Sequence, residues 1–274
     1  MLPIKARKTI KQFIPPIILN LLKRKEKYGF FGNYSSWLEA KNNSIGYDSD
    51  LILEKVKQSA LRVKNGQAAY ERDSVIFEKI DYSWPLLALL LWLASQNNNK
   101  LNLIDFGGSL GTSYFQNINF LKHLVQLQWN IIEQKNFVDC GKKYFQDNNL
   151  KFFYTIEECI AEYNPKIILL SSVLQYLEKP YEFLKKIINL KFNYIIFDKT
   201  VFLANGDDRL VVQRVPLKIY PASYPCWLFN LEKFINFFKG KYQLISDFDS
   251  PPCTTIKLNE NTASYRGFCF KKIF

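Results

Sequence analysis

Residues 101–115 read Leu-Asn-Leu-Ile-Asp-Phe-Gly-Gly-Ser-Leu-Gly-Thr-Ser-Tyr-Phe. Leu101, Leu103 and Ile104 form the short apolar run of a buried parallel strand, and Asp105 ends it. Gly107, Gly108 and Gly111 follow. A turn without Cβ atoms lets backbone N–H groups face a ligand and lets a helix start tightly against the strand. By itself such a turn cradles a dinucleotide, a phosphate or nothing. A second acid, Glu133, ends the next apolar run, Trp129-Asn130-Ile131-Ile132. A carboxylate there can accept hydrogen bonds from both ribose hydroxyls of a nucleoside. A dinucleotide enzyme places its acid at the same point, so Glu133 alone does not separate the two.

Composition narrows the class. The chain has 274 residues, 48% of them hydrophobic and 16% aromatic, which suits one large α/β domain with an added helical region. Five scattered cysteines without a C-x-x-C pair predict reduced thiols in a cytoplasmic protein. The one histidine, His123, leaves no histidine-rich metal site, and no metal is expected. Of the net charge of +12, residues 1–27 carry eight Lys and Arg against Glu26 alone. The rest is mildly basic, which argues against a nucleic-acid partner.

Three regions are expected. Residues 1–27 form a basic amphipathic tail around Phe13–Leu22, too short to span a bilayer and suited to the surface of an anionic membrane, to its own domain or to a partner subunit. Residues 28–99 form an N-terminal helical cap: an aromatic-rich ordered loop over 28–50, a helix over 51–64, the polar cluster Glu71-Arg72-Asp73-Ser74, and a buried helix from Ser83 through Leu93. Residues 100–274 alternate strand and helix, with strands at Trp129–Glu133, Leu150–Tyr154, Lys166–Ser171 and Tyr194–Asp198, which means right-handed βαβ units and a parallel sheet. Residues 200–229 read as a long functional loop rich in proline and tyrosine. A helix at Leu231–Phe238 precedes two late strands, Tyr242–Phe248 and Arg266–Lys271, joined by a polar loop at 250–264.

The pattern Asp-x-Gly-Gly-x-x-Gly resembles the first motif of class I S-adenosylmethionine (SAM)-dependent methyltransferases more than Gly-x-Gly-x-x-Gly. The two closing strands resemble their terminal hairpin. A nearer likeness rests on Ser171-Ser172-Val173-Leu174-Gln175-Tyr176, Val212-Gln213-Arg214-Val215-Pro216, Tyr220-Pro221-Ala222-Ser223-Tyr224-Pro225 and Tyr70-Glu71-Arg72-Asp73. From about residue 30 to the end the chain resembles a bacterial family of methyltransferases often encoded with surface-polysaccharide genes, with Asp198-Lys199-Thr200 where that family has Asp-Arg-Thr.

The resemblance implies a Rossmann-like, mostly parallel seven-stranded α/β sheet with a closing antiparallel hairpin. It implies SAM as cofactor, S-adenosylhomocysteine (SAH) as product, and O-methylation of a sugar or of a glycan-linked or phosphorylated acceptor in capsule or lipopolysaccharide synthesis. Cofactor contacts fall to Asp105, Gly107, Gly108, Gly111, Glu133, Ser171, Ser172 and Gln175. Acceptor contacts fall to Arg72, Arg209, Gln213, Tyr220 and Tyr224, with Arg214 beside them. Asp198 at a strand end is the candidate general base, and Tyr176 lies beside it in the candidate catalytic pair. A non-catalytic scaffold and an NAD-dependent enzyme are the competing readings.

Overall fold

The computed structural model describes residues 28–46, 49–216, 219, 221–251, 255–258 and 261–273. The basic tail and Tyr220 lie outside the described residues. The chain runs β1 (Gly29–Tyr34), α1 (Trp37–Asn42), α2 (Ser49–Lys64), β2 (Tyr70–Arg72), β3 (Val75–Phe77) and α3 (Trp84–Ser95). It continues as β4 (Lys100–Phe106), α4 (Thr112–Leu121), β5 (Gln126–Ile132), α5 (Lys135–Tyr144), β6 (Leu150–Phe153), α6 (Ile156–Tyr163) and β7 (Ile167–Ser171). After a 3-10 turn at Leu174–Tyr176 come α7 (Pro180–Asn189), β8 (Tyr194–Leu203), β9 (Arg209–Arg214), β10 (Ser223–Asn230), α8 (Leu231–Phe237), β11 (Tyr242–Asp249), β12 (Ile256–Leu258) and β13 (Asn261–Lys272).

The central sheet runs β6-β5-β4-β7-β8, all parallel, followed by β13 antiparallel to β8 and β11 antiparallel to β13. These strands form the expected mixed, Rossmann-like sheet with a closing antiparallel pair, but the sheet has eleven strands among the described residues where seven were expected, because β10, β9 and β1 continue it beyond β8 and β12 pairs with β13. Strand alternation divides the core. Leu103, Trp129, Ile131 and Ile196 face the helices α2 to α5, whereas Ile104, Ile132, Ile195 and Phe197 face α6, α7 and α8. Phe197, Phe234, Phe238 and Phe270 pack ring to ring on the second face, the Phe238–Phe270 pair stacked at 4.1 Å.

Residues 200–229 are not a loop. β8 continues to Leu203, and β9 and β10 form an antiparallel pair extended by β1. Alternating apolar residues explain it. Val211, Cys226 and Leu228 bury on one face, and Leu210 and Val212 bury on the other beside Ala40. The prolines point to a loop because they cannot donate to a ladder. Pro225 is tolerated because that part of β10 pairs with β9 alone, and β8 joins only at Phe229 and Asn230.

The expected loop at 28–50 likewise contains β1 and α1, and much of 250–264 belongs to β12 and β13. Since β1 pairs with β9, the sheet crosses the boundary expected near residue 99. α3 forms as expected, with Leu86, Leu87, Leu90, Leu93 and Ala94 buried.

Candidate active site

The site lies at the carboxyl ends of β4, β5 and β7 and beside the middle of β8, where Asp198 was expected to end the strand but β8 runs on to Leu203. At the end of β4, Gly107 and Gly111 have φ of 73° and 102°, conformations that favour glycine. A Cβ on Gly107 would meet Val173 Cγ2 at 2.4 Å, and one on Gly108 would meet Asp105 Oδ2 at 2.6 Å. Neither position has room for a side chain, so the turn packs directly against Val173 and Asp105. Asp105 is buried beneath it and accepts a hydrogen bond from Trp129 Nε1 at 3.0 Å. Burial pushes its carboxyl up to about 7, with the indole hydrogen bond pulling the other way and Glu133 adding to the rise.

Glu133 follows β5, its carboxylate turned to the same loop. Oε1 accepts from Ser109 N at 3.3 Å and Oε2 from Gln134 N at 2.7 Å. Partial burial raises its pKa, and the two backbone hydrogen bonds oppose that. The structure thus brings Asp105, Gly107, Gly108, Gly111 and Glu133 together around one turn.

After β7 the chain enters the same region. Ser172 is exposed, with φ of 55°, and its N–H donates to the Asp198 carbonyl at 2.9 Å. Gln175 is fully buried: its amide nitrogen donates to the Lys199 carbonyl at 3.1 Å, and its Oε1 has no partner among the described residues.

Asp198 is fully buried, and its carboxylate is held by three hydroxyls. Ser250 donates to Oδ1 at 2.8 Å, Ser171 to Oδ2 at 3.0 Å and Ser83 to Oδ1 at 3.5 Å. Lys199 Nζ stands 3.7 Å from Oδ2. A carboxylate so enclosed is an anchor for its neighbours, in a different position from the open strand end expected of a base. Ser83 and Ser250 lie far from it in sequence, and nothing local marks them as its partners.

The expected acceptor residues separate into groups. The Tyr176 hydroxyl donates to Gln213 Oε1 at 2.9 Å, and its ring meets Tyr224 edge-on at 5.2 Å. Burial, with Tyr224 alongside, pushes the Tyr176 phenol well above the ordinary tyrosine range. Arg209 is engaged elsewhere: its guanidinium donates twice to the Gly32 carbonyl, at 2.8 and 3.2 Å, tying β1 to β9. Arg214 lies over the Phe31 ring. Arg72 pairs with Asp81 at 3.4 Å and covers the Phe77 ring.

Above the glycine turn sits the β2–β3 hairpin, with β2 packed against α2 and α4. The Thr112 hydroxyl donates to the buried Glu71 carboxylate, which also accepts from Ser74 N at 3.3 Å. Burial raises Glu71 to about 7, with the Thr112 hydrogen bond opposing.

A surface depression lined by Leu203, Asn205, Gly206, Asn230 and Asn236 lies at the outer end of β8 and contains none of these residues. Among the described residues, no group of three or more His, Cys, Asp or Glu is placed to hold a metal ion. No helix among them is long and apolar enough to cross a membrane.

No protein-family model matches the sequence, and no curated protein matches it. Solved structures do resemble the chain. One is the N-terminal domain of EvdMO1, crystallised in the presence of SAH and D-fucose, at 9% identity over 83% of this chain and 98% of that one, with a TM-score of 0.48. A SAM-dependent methyltransferase from Clostridium acetobutylicum has 12% identity over 69% and 92%, with a TM-score of 0.44. Magnesium protoporphyrin IX methyltransferase from Synechocystis, solved with bound SAM, has 9% identity over 80% and 97%, with a TM-score of 0.43. The architecture described above stands on its own strand order.

Proposed function

We propose that the chain is a SAM-dependent methyltransferase acting on a hydroxyl of a sugar or glycan-linked acceptor, phosphorylated or not, in surface-polysaccharide synthesis. The observation that carries the cofactor is the Glu133 carboxylate turned onto the glycine turn after β4, where its Oε1 accepts from Ser109 N at 3.3 Å. The acceptor class rests on the motif resemblance alone.

The residues fit the cofactor. With SAM bound, the backbone at Gly107 and Gly108 would line its site, Glu133 would accept from the ribose hydroxyls, and Ser172 with Gln175, whose Oε1 has no partner among the described residues, would serve the amino-acid end. SAM, when bound, supplies an electrophilic methyl group. The protein holds the acceptor oxygen in line and keeps water out. Asp198 acts by positioning: it fixes Ser171 and Lys199 at the floor of the site. Tyr176, Gln213 and Tyr224 form a polar aromatic wall for the acceptor.

Calorimetry with SAH and with NADH tests the reading. SAH binding without NADH binding is expected, and mass spectrometry of molecules retained by the purified protein should show SAM or SAH. NADH binding without SAH binding would replace this reading with the dinucleotide enzyme.

A further inference from the structure

An extra residue in β8 brings a cation to the site. Phe197 and Thr200 pair with Phe268 and Arg266 of β13, so Asp198 and Lys199 together lie opposite Gly267. This β-bulge resets the alternation of the strand. Phe197 and Phe202 both belong to the second core face, although residues five apart in a regular strand point to opposite faces. Without the bulge, Lys199 would share the face of Phe197. With it, Lys199 stands on the side of Asp198, its Nζ 3.7 Å from Oδ2. Two side chains hold the bulge in place: Ser250 Oγ accepts from Lys199 N at 3.2 Å, and Gln175 Nε2 donates to the Lys199 carbonyl at 3.1 Å.

The Lys199 side chain is enclosed but unsatisfied. It is 13% exposed, and among the described residues its ammonium makes no hydrogen bond, since Asp198 Oδ2 at 3.7 Å lies beyond that range. Asp198 itself is already served by Ser250, Ser171 and Ser83. An ammonium has three donors and no acceptor, and enclosing it without hydrogen bonds is costly until an acceptor arrives.

Distances place this ammonium on the cofactor side. Asp198 Oδ2 also accepts from Ser171 Oγ at 3.0 Å, so Nζ and the end of β7 meet at one oxygen. Two residues further on, Val173 fills the space that a Cβ on Gly107 would need. The registers Phe106↔Ile132, Asp105↔Leu169 and Ser171↔Asp198 bring Glu133, Gly107, Ser171 and Asp198 to one level across the sheet. In the order β5-β4-β7-β8, at about 4.8 Å per strand, Glu133 and Asp198 are on the order of 14 Å apart. The methionine arm of SAM, extended, spans about 9 Å from ribose to carboxylate, and a hydrogen bond of about 2.8 Å at each end completes that distance.

We infer that Lys199 donates to the α-carboxylate of SAM and holds the end of the cofactor opposite to the ribose that Glu133 takes. Asp198 then serves as the fixed partner that keeps the ammonium charged and aimed at the glycine turn. The bulge is what places a lysine there, on a face that an uninterrupted strand would deny it.

The inference rests on the methyltransferase reading, and calorimetry with two ligands separates their failures. The ligands are SAH and decarboxylated SAH, which keeps the amine and lacks the carboxylate. Wild type should bind decarboxylated SAH at least tenfold more weakly than SAH. Lys199→Met should weaken SAH at least tenfold and leave decarboxylated SAH within threefold, the pattern of a direct pair. Lys199→Gln serves should the first variant fold poorly, and Lys199→Arg should restore most of the SAH affinity. Wild type that binds both ligands equally overturns the inference without any variant. So does a variant that keeps its SAH affinity, which would turn the cation to the acceptor, or one that loses both ligands alike, which would make Lys199 structural. Wild type that binds neither ligand overturns the methyltransferase reading and the inference with it.

Discussion

The Ser250 hydroxyl donates to Asp198 Oδ1 at 2.8 Å and joins the end of β11 to a strand position 52 residues earlier. Ser250 also donates its N–H to the Tyr265 carbonyl and accepts from Lys199 N. One small residue therefore ties the closing strands to the bulge that presents Lys199. Removing the carboxylate strands several buried donors, so Asp198→Ala is expected to lower unfolding free energy by about 3 kcal/mol. Urea denaturation measures this. An unchanged midpoint with loss of turnover would return Asp198 to the role of base.

Among the described residues, Glu133 hydrogen-bonds only to backbone N–H groups, and its side chain is half-buried. Its replacement by alanine should weaken SAH binding by roughly 1.5–3 kcal/mol, the scale of hydrogen bonds to a charged group. Calorimetry on a folded variant decides. Unchanged affinity removes Glu133 from the cofactor site.

Asp105 links the glycine turn to pH. Its folded pKa of about 7 lies above the unfolded value, so the native state holds a proton that the unfolded chain releases. Its contribution to stability is greatest below about pH 4 and is lost as pH rises to about 7. Wild type should therefore lose stability relative to Asp105→Asn across that window, by roughly 3–4 kcal/mol. Glu71, also raised to about 7, acts in the same direction and remains in both proteins. Parallel denaturation curves at pH 4.5 and pH 8 check the difference. A constant gap between the two proteins would mean that Asp105 is ionised throughout.

The basic segment at 1–27 carries the prediction for membranes. We propose that it binds vesicles rich in anionic lipid and that binding falls as salt rises, since surface charge is screened within about 10 Å at 0.1 M. Equal co-sedimentation with and without these residues would rule that out.

The sequence by itself determined the elements whose signals are local. Short apolar runs ending in Asp105 and Glu133 predict the strands, three glycines predict the turn, and the alternation of strand and helix predicts the parallel sheet. The grouping of Asp105, the three glycines and Glu133 around one turn was legible because it is built from strand ends adjacent in the βαβ order, where backbone conformation depends on the residues that write the motif. The acceptor half was decided by tertiary structure. Asp198 reads as an available carboxylate until Ser83 and Ser250 arrive from elsewhere in the chain and close it off. Arg209 reads as an anion contact until Gly32, on a strand that pairs only in the folded sheet, takes its guanidinium. Proline and tyrosine conceal β9 and β10 because their burial depends on Ala40 and Val201, supplied by other segments. Whether a polar side chain is spent or available depends on its partners, and non-local partners exist only once the chain has folded.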